Sequence, residues 1–410
     1  MRSTRPVTAP GSSHPIAQWL TTQPTGLRPE MIAEAAGDAV VVGLGVSTRA
    51  AHEVSEFVAE VSRLLIERGF TTIAVLDNQR VAELYDRFVS GQDIDIDHAL
   101  AQAWGPWQVW EMRDALVRLR EHNRTTTGAP VRIIGIASAR VLPEDYDRIV
   151  DLLATIDAET ATDVEALLDV IRIAHRSGEH VLRAHGTHPG TPFVELARTA
   201  RGHVDDLTPN AERDAARELL DGVVDFHANA IGVGYDVARE ERHAADRLLD
   251  YHRRTGERIV LWEGSAHVAA RPGPMLGAKL RAELGDRYLA AHITFGQGHI
   301  HGASIPAPRA DSIDAQFAVT RGGCALDLRS PVPATIAKHL EDPWPTRLIS
   351  GLYDPAEDAD HYVVLPSLTE SFDVLVYIPT ITPTRPLEEG TPPTRRRRGD
   401  GSHEGSRPAR

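Results

Sequence analysis

Short apolar runs alternate along this chain with stretches whose apolar residues recur every three or four positions. Residues 39–44 (AVVVGL) form a continuous apolar run of strand length. Residues 54–65 then place Val54, Phe57, Val58, Val61, Leu64 and Leu65 on one helical face, and Gly69 supplies the stop. A second strand is predicted at 71–76, helices at 81–88 and 109–119, and a third strand at 131–136. This alternation predicts an α/β fold with a mixed or mostly parallel central sheet flanked by helices. Between 143 and 254 no convincing strand occurs. Helical patterns at 143–155, 162–177, 192–202, 209–222 and 236–254 predict a helical subdomain covering one end of the sheet. Strands return at 258–262, 288–295, 325–328, 362–365 and 374–378, and no internal repeat is found.

The ends differ from this pattern. Residues 1–14 are rich in Ser, Thr and Pro, and from Thr380 onward no periodic apolar spacing remains. The expectation is one α/β domain over 15–387 between disordered tails at 1–14 and 388–410. The run Arg395–Arg398 reads as part of a solvated tail, or as a handle for an acidic partner.

Composition narrows the function classes. A hydrophobic content of 42% suffices for a full core, and a formal net charge of -14 disfavours nucleic acid as a partner. The lone cysteine, Cys324, excludes an internal disulfide and a cysteine-based zinc site. No stretch approaches the roughly 20 apolar residues that span a bilayer, and no apolar run follows the N-terminal charges. The expectation is a cytoplasmic protein without a membrane partner, acting on a small-molecule or peptide substrate, its oligomeric state left open.

In open α/β sheets ligands bind beyond the carboxyl ends of strands. Four segments sit there: GVSTRAAHE (45–53), LDNQR (76–80), EGSAHVAAR (263–271) and GQGHIHG (296–302). They offer Arg49, His52 and Glu53; Asp77; Glu263 and His267; and Gln297, His299 and His301. Histidine suits proton transfer near neutral pH, a carboxylate can orient it, and arginine can hold a carboxylate or an oxyanion. Each residue taken alone also reads as a hydrogen-bonded structural group, and a lone histidine near a strand end is more often that. His299 and His301 would share one face of an extended segment, but no carboxylate accompanies them at a fixed spacing, so no metal is expected. Ser265 lacks the G-x-S-x-G setting of a serine nucleophile. No phosphate-binding or dinucleotide-binding glycine motif is found, and no cofactor is expected.

At these segments the sequence resembles the erythromycin esterase family. VVGLGVSTRAAHE is similar to that family's GLGE-A/S-T-H-G-x-R-E segment, and GFTTIAVLDNQRVAELYDRFVSG to its GF strand and following helix. WGPWQVWEMRDALVRLREHN resembles the W-x-W-x-x-x-E helix. VAREERHAADRLLDYHRRTGERIVLWEGSAHVA resembles the R-D-x-x-M-A-x-N helix and the W-A-H-N-A-H strand end. LGDRYLAAHITFGQG and FDVLVYIPTITPTRPL resemble the last two strands. The matches run in order from about residue 30 to 387.

The resemblance implies a hydrolase that opens macrolide lactones, or a relative acting on other natural products, with a histidine base that activates water. Carried over by position, it also implies heavy loss. The family's first-loop Glu falls on Val46, the water-activating His on Arg49 and the following Arg on His52, while Glu53 is kept. The Glu closing the second strand falls on Leu76, with Asp77 beside it. The first His of H-N-A-H falls on Gly264, and the second is kept as His267. Arg239 and Glu240 match in kind. A guanidinium stays protonated and cannot serve as a general base, so macrolide opening by the family mechanism is not expected. The expectation is a rebuilt acid–base set of His267, His52, Arg49, Asp77 and Glu263, with Glu53, Arg239, Gln297, His299 and His301 binding substrate. The alternative is a non-catalytic protein that uses the cleft to bind.

Overall fold

The computed structural model describes residues 14–137, 141–172, 179–229, 234–350 and 353–387. The expected tails 1–13 and 388–410, with Arg395–Arg398, lie outside them. His14, expected in the N-terminal tail, caps the helix Pro15–Leu20 through its ring nitrogen, 3.2 Å from the Ile16 N–H.

The central sheet is mixed and largely parallel, as the alternation predicts. Its strands are β1 (Val41–Val46), β2 (Phe70–Asn78), β3 (Arg132–Ala137), β4 (Arg258–Gly264), β5 (Tyr288–Ile300), β6 (Ala303–Ile305), β7 (Cys324–Asp327) and β10 (Val374–Ile381). They lie in the order β3-β2-β4-β1-β5-β10-β7, with β6 paired to the far end of β5. Only β6 and β7 run antiparallel. β8 (Trp344–Arg347) and β9 (Tyr362–Leu365) form a separate two-stranded sheet. Apolar periodicity does not predict β6 or β8, because both are short and β8 carries a proline.

The sheet is buried on both faces, so its inner strands read as apolar runs rather than alternations. One face packs on helices His52–Glu67, Gln79–Val89 and Trp110–Thr125 around Leu44, Val54, Val58, Tyr85, Met112 and Trp262. The other packs on Val237–Thr255 and Leu276–Leu284 around Val41, Leu248, Leu261, Val268 and Tyr288. Helices Pro143–Ala154, Ala158–Ile171, Phe193–Asp205 and Ala211–Ala228 share a third core of their own. The helix Val237–Thr255, read from sequence with that group, instead lies on the sheet.

This order places a crevice between β1 and β4. The chain leaving β1 crosses β4 on one face to reach β2; the chain leaving β4 crosses β1 on the other face to reach β5. Adjacent strands whose connections part in this way leave an opening at their carboxyl ends. Gly45 lets that end close tightly: a Cβ there would stand 2.3 Å from Val268 and 2.8 Å from the Ser265 backbone, in the short helix Ser265–Val268.

Two segments read as irregular continue the sheet. β5 runs past Phe295 to Ile300, because β10 pairs with it through Thr380↔Gln297 and Ile381↔Gly298 and β6 closes its other side. The stretch from Thr380, which shows no apolar period, completes β10 and continues as a strap across the helix N-termini. Thr382 accepts from the His52 N–H, and Arg385 from the Trp110 N–H. Backbone hydrogen bonds, rather than side-chain periodicity, hold this strap, so no apolar spacing marks it.

Candidate active site

The chain leaving β1 brings Arg49 over the end of β4, where its guanidinium bonds Glu263 Oε2. Both are withdrawn from water: the Glu263 side chain is 0% exposed and that of Arg49 11%. The indole of Trp104 lies 4.9 Å from the guanidinium and that of Trp107 5.9 Å, at cation–π range. Arg49 Nε and Glu263 Oε1 are buried without hydrogen-bond partners.

His267 follows β4 in the helix Ser265–Val268. Its Nδ1 lies 2.6 Å from Glu241 Oε1 and 4.0 Å from Glu263 Oε1. Glu241 Oε2 accepts from the Leu276 N–H at 2.9 Å, which fixes the carboxylate. With Nδ1 directed at a carboxylate, Nε2 is the ring atom left to exchange a proton. Burial opposes the charged imidazolium, but Glu263 and Glu241 together outweigh it against the smaller opposing effect of Arg49. The pKa of His267 therefore stands above the ordinary histidine value.

Gly264 matters at this point. A Cβ there would stand 3.3 Å from His267 Cδ2 and 3.4 Å from Arg49 Nη2, so the imidazole and the guanidinium border one small volume that glycine leaves open.

Glu241, the partner of His267, was missed by the family matching, which reached Arg239 and Glu240. Helical spacing held a signal for it. Glu241 lies on the stripe of Ala244, Ala245, Leu248 and Leu249 and is 5% exposed. A carboxylate on the apolar face of a helix must find a partner.

The other expected residues lie elsewhere in the fold. Asp77, expected in the acid–base set with His267, is buried and accepts from Tyr85 Oη at 2.9 Å, the Asn78 N–H at 2.8 Å and the Trp104 N–H at 3.1 Å. It reaches the site indirectly, by holding Trp104, as Leu76 does for Trp107 by accepting from its indole N–H at 2.7 Å. His52 pairs with Glu111 at 2.8 Å. Glu53 accepts from the N–H and hydroxyl of Thr382 in the strap, both at 2.7 Å. Arg239 pairs with its neighbour Glu240 at 3.1 Å. Gln297, His299 and His301 are exposed on the β5–β6 extension, His301 with a positive φ of 39°. Sheet pairing carries these three out along β5, away from a loop beside β1. Among the described residues no group of three or more His, Cys, Asp and Glu side chains is placed to hold a metal ion. No helix among them is long and apolar enough to cross a membrane.

Ser265 is no free nucleophile. Its hydroxyl donates to Gly45 O at 2.9 Å and lies 2.8 Å from His292 Nδ1. Burial holds His292 down to about 3, so it is neutral, and its Nε2 lies 3.1 Å from Thr346 Oγ1. The chain of contacts joins β1, β5 and β8 behind the site.

Solved structures share this architecture. One is a Bacillus cereus protein, 18% identical, with a TM-score of 0.62, covering 91% of this chain and 98% of that one. A succinoglycan biosynthesis protein is 16% identical with a TM-score of 0.63 and the same coverage. An erythromycin esterase mutant in its open conformation is 14% identical with a TM-score of 0.55, covering 88% of this chain and 95% of that one. At these identities the likeness is one of fold. The sequence model of the family described as erythromycin esterase matches residues 66–381, most of the domain. The chain belongs to the erythromycin esterase family.

Proposed function

We propose that this chain is a divergent hydrolase of its family, working by acid–base chemistry on a secondary metabolite or peptide in natural-product tailoring. The observation that carries the reading is the His267–Glu241 contact beside the Arg49–Glu263 pair, at the crevice between β1 and β4. His267 Nε2 takes a proton from water; the hydroxide adds to a substrate carbonyl; the bond to the leaving oxygen breaks, and the proton returns to it. Arg49 faces the charge that develops on the carbonyl oxygen. The same imidazole could instead remove a carbon-bound proton, which makes elimination the related possibility.

A second reading is that the cleft binds without turnover. It is favoured by Val46, Arg49 and Leu76 standing where the family pattern has two carboxylates and a histidine, and by Glu263 being held by Arg49. Purified protein assayed by mass spectrometry against esters, lactones and peptides separates the two. Gain of one water that is lost in His267→Ala supports hydrolysis, and saturable binding with no mass change supports the second reading. Erythromycin itself should remain closed; its opening would show that another group replaces the base lost at Arg49.

A further inference from the structure

Behind the crevice, the contacts that hold Ser265 continue to a carboxyl that takes no part in the proposed chemistry. Ser265 Oγ donates to Gly45 O at 2.9 Å, which ties the helix Ser265–Val268 to β1. The same oxygen lies 2.8 Å from His292 Nδ1, and His292 Nε2 lies 3.1 Å from Thr346 Oγ1. The imidazole is stacked on Phe372 at 4.7 Å, which fixes the direction of both nitrogens. Thr346 Oγ1 lies 3.1 Å and Thr294 Oγ1 2.6 Å from Asp314 Oδ1, in the helix Ile313–Phe317. Asp314 Oδ2 accepts from the Arg347 N–H at 3.0 Å. His292, Thr294, Asp314 and Thr346 are 0% exposed and Ser265 1%, so each contact is made with protons that these groups carry themselves.

Those protons can be counted. Gly45 O has none, so the single hydroxyl proton of Ser265 goes to it, and His292 Nδ1 must donate to Ser265. A neutral imidazole then has a bare Nε2, which takes the single hydroxyl proton of Thr346. Thr346 has nothing left to give Asp314. Asp314 Oδ1 must therefore donate to Thr346, while it accepts from Thr294 and Oδ2 accepts from Arg347. The five side-chain contacts from Gly45 O to Thr294 need five protons. The serine, the two threonines and a neutral histidine supply all but one, and the last belongs to Asp314. An imidazolium facing a carboxylate would hold the same proton, but at the cost of burying two charges.

The electrostatics agree. Burial raises the Asp314 carboxyl above its ordinary range, against the bonds from Thr294, Arg347 and Thr346 and the nearby Arg347 charge. The Arg347 guanidinium is itself bound to Asp358, Gly296 O and Pro306 O, so it does not need Asp314 as its counter-ion. Tyr362 and Tyr377 also face Asp314, and burial raises both phenols, which keeps them neutral.

We infer that His292 and Asp314 are positioning residues that hold one proton between them, and that this proton latches the helix carrying His267 onto β1. Without it, one of two bonds is lost. Either His292 Nε2 has no donor, or the imidazole moves its proton to Nε2 and Ser265 must leave Gly45 O to serve Nδ1. The second rearrangement frees the start of the helix Ser265–Val268, two residues before His267. The catalytic meaning of the latch rests on the hydrolase reading; the proton and the latch do not.

The test uses the full chain, with ring-labelled histidine read by NMR and with infrared difference spectra between the unaltered protein and Asp314→Asn. At neutral pH His292 should be neutral with its proton on Nδ1, and the difference spectrum should show the loss of a carboxylic-acid C=O band. A carboxylate at position 314 beside a neutral His292 overturns the shared proton. For the latch, the readout is the midpoint of the His267 ring titration, assigned by its absence in His267→Ala. Asp314→Asn, whose amide N–H donates to Thr346 in place of the acid, should leave that midpoint unmoved. Thr346→Val cuts the chain of contacts, and Ser265→Ala removes the bond to Gly45. Both should lower the midpoint toward the ordinary value of about 6.5, as the His267–Glu241 contact loosens. Thr346→Ser, which keeps the hydroxyl, should restore it. An unmoved midpoint in folded Thr346→Val and Ser265→Ala overturns the latch; if Thr346→Val does not fold, Ser265→Ala decides. Ester turnover is read separately. A shared proton without turnover keeps this assignment and sinks the hydrolase, and turnover with a carboxylate at position 314 does the reverse.

Discussion

Two histidine–carboxylate pairs stand at the carboxyl edge of the sheet, and their surroundings differ. His267 meets Glu241 at 2.6 Å, and His52 meets Glu111 at 2.8 Å, each through Nδ1 and each with a buried carboxylate. At Glu241 one oxygen takes a backbone N–H, and a second carboxylate, Glu263, lies 4.0 Å from the same ring nitrogen with an oxygen left unbonded. At Glu111 both oxygens are occupied, by His52 and by the Arg385 backbone and guanidinium. Burial alone would raise the Glu111 pKa, but the bonds from His52 and Arg385 outweigh it and hold the carboxyl below its ordinary value. The first pair keeps a second carboxylate beside the ring and a partly exposed imidazole. The second closes the strap 382–387 onto two helices. A histidine–carboxylate contact therefore identifies no function until the remaining bonds of the carboxylate are counted.

Substitutions can break this contrast. The largest effect is expected at His267: His267→Ala should retain the melting temperature within a few degrees and lower ester turnover by about 10²–10⁴-fold. A folded variant with full turnover would remove the imidazole from the chemistry.

Glu241→Gln comes next, with turnover down by about tenfold, within the 10–100-fold range of lost orienting partners. It also removes one of the charges that raise His267. If His267 acts as the base, activity rises as the imidazole loses its proton, and the variant should reach half-activity at a lower pH than the unaltered protein. The linkage has the opposite direction for stability. A raised histidine stabilises the fold fully below its unfolded pKa of about 6.5 and loses that contribution as pH climbs through the folded value. Chemical denaturation across that window should show the difference between the two proteins shrinking with rising pH. A pH–rate profile that does not move in the variant would disconnect Glu241 from the reaction.

On the other side of the comparison, Glu111→Gln should destabilise by about 1–3 kcal/mol at neutral pH, because it weakens a buried, charge-assisted set of bonds. Since the folded Glu111 pKa is depressed, this contribution is present above the unfolded value of about 4.3 and is lost as pH falls through the folded one. Urea midpoints of the two proteins should therefore converge in acid; a constant gap would show that packing, not charge, is lost.

The smallest effect is expected at His52→Ala. A half-exposed histidine paired with a carboxylate is worth about 0–1 kcal/mol, and turnover should change by less than about threefold. A drop comparable with that of His267→Ala would make the two pairs functional equals and undo the contrast.

Much of the fold was legible in local pattern. β1 to β5, the helices at 52–67, 79–89 and 110–125, and the absence of strands among the described residues of 143–254 follow from apolar periodicity. Periodicity is a local signal, set by which face of one element is buried. The candidate site was legible in part. Arg49, Glu263 and His267 were identified at strand ends and do converge, whereas Asp77, His52 and the β5 segment lie apart from them.

By itself the sequence determined the class of fold, the apolar strands, and the replacements at Val46, Arg49, Leu76 and Gly264, because residue identity and local spacing carry each of these. Tertiary structure decided the partners. Arg49 and Glu263 are 214 positions apart and meet only because β1 and β4 are neighbours in the sheet. Glu241 reaches His267 because an amphipathic helix lays its apolar face on that sheet and brings a carboxylate with it. Burial and the nearness of Glu263 and Glu241 then set the direction in which the His267 pKa moves, through distances that spacing along the chain does not contain.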